Sequence, residues 1–156
     1  MKIILFAIFL LSMQAVVAQQ VHLITADNLN NRINKGQDTT FVINFWATWC
    51  VPCIKELPDF EKFDQKFKAE KLKVLLISLD FKSDLTSSVV PFIKKRNIKS
   101  EVLLLDEKDQ QVFINKIDSG WSGTIPATLF IKNITRKFFE KNFTFEELLK
   151  EYHQFN

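Results

Sequence analysis

The chain has 156 residues, 47% of them hydrophobic, with 16 phenylalanines, three glycines and a formal net charge of +3. That much apolar side chain suits one domain with a real core and excludes a disordered segment. The charge is weak, and lysines alternate with acids, as in Lys66-Phe67-Lys68-Ala69-Glu70-Lys71, so nothing points to a nucleic-acid partner.

Met1-Lys2, followed by the apolar run from Ile3 to Leu11, has the charged start and short apolar core of a secretory signal, and Val16-Val17-Ala18 offers a small-residue cleavage site. Ser12 and Gln14 interrupt the run before it reaches the roughly 20 apolar residues that a membrane-spanning helix needs. Residues 1–18 are read as a cleaved leader and residues 19–156 as one domain of an exported protein, periplasmic or in the cell envelope. An uncleaved anchor is the alternative.

Asp27 to Lys35 reads as a first helix, with Asp27 as N-cap, Leu29 and Ile33 on one face and Gly36 at its end. Phe41 to Trp46 is a near-continuous apolar strand of the buried kind. Leu57, Phe60, Phe63 and Phe67 then recur at spacings of three and four, marking the core face of a long helix that Pro58 should kink. Lys73 to Leu79 is a second buried strand, completing a βαβ unit. A helix over residues 86–96, a strand from Glu101 to Leu105 and a short helix over residues 110–116 extend an α/β sheet. Ala127 to Ile131 and Arg136 to Phe139 read as a closing antiparallel hairpin, and Phe145, Leu148, Leu149, Tyr152 and Phe155 form the core stripe of a last helix with Thr144 near its start.

Between the first strand and the long helix stands Cys50-Val51-Pro52-Cys53, which holds every cysteine of the chain. Two cysteines in an exported protein ordinarily form a structural bridge, but one closing so short a loop removes little chain entropy and is a poor staple. Structural zinc asks for four ligands, and only His22 and His153, at the remote ends, could add to the two thiols. A redox couple remains. Cys50 falls where unpaired N–H groups and the positive end of the helix dipole stabilise a thiolate, and Pro52 stiffens the turn without costing a helical hydrogen bond. Cys53, one turn into the helix, is the resolving thiol.

Two other residues bear on this pair. Pro126, at the start of a strand, is either an ordinary trans loop proline or a cis proline that leaves the Ile125 backbone free to pair with an extended peptide. Glu56, three residues beyond Cys53, is either solvated or close enough to the Cys53 sulfur to exchange protons with it.

Residues 45–53 (Phe-Trp-Ala-Thr-Trp-Cys-Val-Pro-Cys), Glu56-Leu57-Pro58 and residues 123–130 (Gly-Thr-Ile-Pro-Ala-Thr-Leu-Phe) together resemble the thioredoxin fold, and more narrowly the exported thiol-disulfide oxidoreductases of the TlpA/ResA kind. The resemblance covers nearly all of residues 19–156. It implies a three-layer α/β/α domain with a central mixed sheet and an extra helix and strand before the closing hairpin. It also implies Cys50 as nucleophile, Cys53 as resolving cysteine, Glu56 as a site residue and Pro126 as a cis proline beside the disulfide. Trp49, Val51, Pro52, Ile125 and Pro126 then form the surface that meets a partner, and Trp46 frames the site while packing in the core.

The chain departs from the pattern at two places. Asn44 stands where cytoplasmic thioredoxins have a buried acid serving the resolving thiol, so that role is absent or falls to Glu56. The turn over residues 132–136 lacks the usual glycine.

The activity expected is exchange of the Cys50–Cys53 dithiol and disulfide with partner proteins of the envelope, as a reductant of apocytochromes or other proteins. An upstream redox partner, in the membrane or outside it, would recharge the pair, and no organic cofactor or metal is required. A thiol peroxidase is a weaker alternative, because Ala47 stands where peroxidases of this fold place Thr. A peptide-binding module that keeps its disulfide closed is the non-catalytic alternative.

Overall fold

The computed structural model describes residues 20–155; the expected leader, residues 1–18, lies outside them. The apolar runs become neighbouring strands. The elements in chain order are β1 (His22–Ile24), α1 (Ala26–Lys35), β2 (Thr40–Trp46), α2 (Val51–Lys66), β3 (Leu72–Ser78), α3 (Val90–Arg96), β4 (Glu101–Leu105), α4 (Gln110–Ile117), β5 (Ala127–Lys132), β6 (Thr135–Phe139) and α5 (Phe145–Phe155).

The sheet order is β1-β4-β3-β2-β5-β6. Pairs from β1 to β2 across that order are parallel, and β5 and β6 join antiparallel, so the sheet is mixed. β4 enters between β3 and β1, and with α3 it supplies the extra strand and helix. Alternation along the strands sends Val42, Trp46, Val74, Leu76, Val102, Leu104 and Phe130 to one face, where α2, α3 and α5 cover them. Phe41, Ile43, Phe45, Leu75, Ile77, Leu103 and Leu129 go to the other, under α1 and α4. The three layers expected from the resemblance are present.

Two local readings change and three details are added. Thr25, not Asp27, caps α1: its hydroxyl oxygen accepts from the Asn28 N–H at 3.2 Å, and Asp27 sits in the first turn, where its charge favours the dipole. β1 has no sequence signature, being three residues long with His22 and Leu23 exposed. α2 runs as one helix through Pro58. The helix expected over residues 86–96 opens instead as a 3₁₀ turn (Lys82–Asp84) and a π-helical segment (Leu85–Val89) before α3 proper. The hairpin without glycine closes through a two-residue turn in which Asn133 takes the left-handed conformation at φ 53°, a region asparagine tolerates.

Across the sheet edge, Arg32 of α1 forks onto Glu101 of β4 at 2.5 and 2.8 Å, with Lys73 at 3.1 Å, and this hydrogen bonding holds the Glu101 carboxyl down to about 2. A carboxyl with a lowered folded pKa stabilises above its unfolded value of 4.5 and loses that contribution as the pH falls toward 2. Both side chains keep about a third of their exposure, so screening leaves about 1 kcal/mol. Urea midpoints should therefore separate Glu101→Gln from the parent near neutrality, and the two curves should converge near the acid limit. A constant gap at all pH values would rule out the ion pair as the cause.

Candidate active site

β2 ends at Trp46, and the chain turns through Ala47-Thr48-Trp49 before α2 begins. That turn is fastened from below. Asp80, just past β3 and 4% exposed, accepts from the Thr48 N–H at 3.0 Å, the Thr48 hydroxyl at 2.6 Å and the Ser78 hydroxyl at 2.7 Å. The Cys50 N–H donates to the Ala47 carbonyl at 3.1 Å, completing the turn.

Cys50 is the N-cap of α2, and its sulfur accepts from the Cys53 N–H at 3.3 Å. This is the strand-to-helix junction at which the sequence places it. Cys50 and Cys53 are joined as a disulfide with Cα atoms 5.3 Å apart; Cys53 is fully buried and Cys50 nearly so. Pro52 occupies the first turn, where its missing N–H costs nothing, and the Asn142 side chain donates to its carbonyl at 3.0 Å.

The Ile125–Pro126 peptide bond is cis, and the Ile125 carbonyl oxygen lies 3.8 Å from Cys50 Sγ. Of the two readings of Pro126, the structure has the cis one, beside the sulfur. Trp121 anchors the approach to this bond by donating its indole N–H to the Thr124 carbonyl at 2.9 Å, while its ring packs 4.8 Å from that of Phe45. Gly123, at φ +88°, supplies a left-handed residue, and a Cβ there would meet Ile114 at 3.1 Å.

Glu56 is 3% exposed, so of its two readings the solvated one is excluded. Its Oε1 accepts from Asn44 Nδ2 at 2.7 Å and its Oε2 from the Phe143 N–H at 2.8 Å. Burial pushes the carboxyl up to about 7 against the pull of these two donors, and the negative charges of Asp59 and Glu147 push the same way. Trp46 is wholly buried, its ring 5.3 Å from Phe92, so it serves the core. Trp49 and Val51 are 65% and 62% exposed around Cys50.

Three further participants do not emerge from the sequence analysis. Asp80 is an acid just beyond an apolar strand, a signal open to reading. Asn142 reaches the site from just before α5, with no local signature. Phe81, beside Asp80 in the chain, is 69% exposed.

Comparison with known proteins agrees with this geometry. Over 77 residues the chain is 35% identical to sporulation thiol-disulfide oxidoreductase A of Bacillus subtilis (strain 168), a match that covers 49% of this chain and 45% of that protein. It is 31% identical over 62 residues to the thiol-disulfide oxidoreductase ResA of Bacillus cereus, covering 40% of this chain and 34% of the relative. The matched segments thus span less than half the length of these two relatives. Among solved structures, a thiol:disulfide interchange protein of the thioredoxin family from Chlorobium tepidum TLS superposes with a TM-score of 0.63 at 17% identity, over 78% of this chain and 82% of that one, which shows the thioredoxin fold. The AhpC/TSA family model matches residues 17–135, and the chain belongs to that family.

Proposed function

We propose that this protein is a thiol-disulfide oxidoreductase that exchanges its Cys50–Cys53 pair with disulfides of partner proteins in the cell envelope, acting as a reductant. The observation that carries the reading is a disulfide whose outer sulfur caps a helix N-terminus and lies against a cis-proline edge. The relatives' names support the reaction class. Apocytochromes are one candidate class of substrate, on the family resemblance alone.

In the reduced form, Cys50 carries the thiolate, held by the Cys53 N–H and the helix dipole. It attacks one sulfur of a partner disulfide; an S–S bond forms between Cys50 and the partner, and the other partner sulfur leaves as a thiolate. Cys53 loses its proton and attacks Cys50 Sγ, closing the Cys50–Cys53 bond and expelling the second partner thiolate. Two electrons pass to the partner, whose two thiolates take up protons from solvent, while this protein gives up the one proton of Cys53. Glu56, with its carboxyl near 7, is suited to take the Cys53 proton. Ile125 supplies backbone for an extended partner segment, and the exposed Trp49, Val51 and Phe81 supply apolar surface.

A Cys53→Ser variant tests this reading. With the resolving thiol gone, the first step still runs and the second cannot, so the variant should accumulate mixed disulfides through Cys50 with envelope proteins, visible on non-reducing gels and reversed by dithiothreitol. No covalent adducts at all would favour the binding-module reading, and the identity of captured proteins would fix the direction of electron flow.

A further inference from the structure

Asn44 sits on β2, wholly buried, with the two ends of its amide unequally served. Nδ2 faces acceptors only: Glu56 Oε1 at 2.7 Å, Thr128 Oγ1 at 3.2 Å and the Ala127 carbonyl at 3.4 Å. Oδ1 is buried and finds no hydrogen-bond partner among the described residues. An amide oxygen stranded in the interior is unfavourable and asks for a reason.

Glu56 supplies one, because its two oxygens are not equivalent. Oε2 accepts from the Phe143 backbone N–H, a donor that cannot reverse its sense. A proton arriving at Glu56 therefore settles on Oε1. There it would meet the Asn44 N–H, donor against donor. A half-turn about the last side-chain bond of Asn44 exchanges its ends and sets Oδ1 against the new O–H. The stranded oxygen then has its partner, while Nδ2 moves to the side Oδ1 leaves and gives up the Ala127 carbonyl at 3.4 Å, so the turn follows the shorter bond to Glu56. Thr128, whose hydroxyl both accepts and donates, serves either orientation: it accepts from Nδ2 in one and donates to Oδ1 in the other.

We propose that Asn44 is a positioning residue whose amide turns over with the proton of Glu56, so that the buried carboxyl keeps a hydrogen bond in both protonation states. The charged groups acting on Glu56 are Asp59 on α2 and Glu147 on α5, both negative. The strand side presents the neutral Asn44 and Thr128, and the Cys50–Cys53 bond carries no charge. As a part of exchange, the turn rests on the function proposed above: the Cys53 proton arrives at Glu56 Oε1 and the amide rotates to receive it. The rotation itself needs no partner protein.

NMR of the disulfide form, labelled with ¹³C and ¹⁵N, decides the matter by following the Glu56 side-chain carboxyl carbon and the Asn44 side-chain NH₂ from about pH 5 to about pH 9. Both signals should titrate with one shared midpoint. In Glu56→Gln the Gln oxygen must take the Phe143 N–H, leaving its NH₂ in the place of a protonated Oε1. Asn44 should then hold its acid-limit shifts at every pH. A Glu56 signal that titrates while the Asn44 NH₂ stays still overturns the rotation, and so does a Glu56 signal that does not titrate in this range. The parent titration alone decides if the variant misfolds. Exchange activity is read separately, so a protein inactive toward disulfides but with coupled titrations refutes the proposed function and spares the rotation.

Discussion

Replacing Cys50 with serine should lower catalysed insulin reduction by dithiothreitol by at least roughly a thousandfold, to the uncatalysed background. The variant keeps the capping geometry, since a serine oxygen accepts from the residue 53 N–H as the sulfur does. What it loses is the sulfur that forms and breaks a bond to another sulfur. The fold should survive, because opening a bridge between residues three apart costs at most about 2 kcal/mol of loop-closure entropy. Circular dichroism superposable on the parent, together with an absent rate, is the expected pair of results. A variant retaining even half the parental rate would move the nucleophile elsewhere.

Glu56→Gln should flatten the pH dependence of stability between about pH 4.5 and about pH 7. The folded carboxyl keeps its proton up to about 7, where the unfolded chain releases it near 4.5, so between those values the folded state binds more protons. Stability then falls as the pH rises through that window, by on the order of 2–3 kcal/mol in the parent, as ionisation forces a charge into the interior. A glutamine has no such proton to lose. Its remaining cost is small, since the side chain still reaches both Asn44 and the Phe143 N–H. Urea unfolding of the oxidised proteins at about pH 5 and about pH 8 would show a drop in the parent and little change in the variant. Equal drops in both would remove Glu56 as the source. The Glu101 contribution changes only at more acid pH and does not enter this comparison.

The parts of the molecule that sequence reveals are those whose cause lies within a few residues. The buried strands β2 to β4 are near-continuous apolar runs, and the core stripes of α2 and α5 show in their three-and-four spacing. Cys50 is legible because strand, turn, proline and helix follow one another in the chain. What stays hidden is fastened from far away or depends on burial. β1 exists because β4 offers it an edge, not because His22-Leu23-Ile24 insists on being a strand. Glu56 cannot be told from a solvated glutamate by sequence, since its burial is made by Phe143 and Asn44, 87 and 12 positions away. Asp80 and Asn142 reach the reactive turn across 32 and 90 positions. The cis state of Pro126 likewise belongs to the assembled site, and sequence alone leaves both isomers open.

The clasp from Asn142 and Phe143 also sets an order of events during synthesis. The ribosome releases the two cysteines some 90 positions before the side chain that holds Pro52 and the backbone N–H that holds Glu56. At about 5–20 residues per second that gap lasts roughly 5 to 20 seconds. Throughout it the pair has its local turn but neither its clasp nor the neighbour that buries its carboxylate. A nascent chain therefore carries the cysteine pair without either of these contacts until residues 142 and 143 have been added.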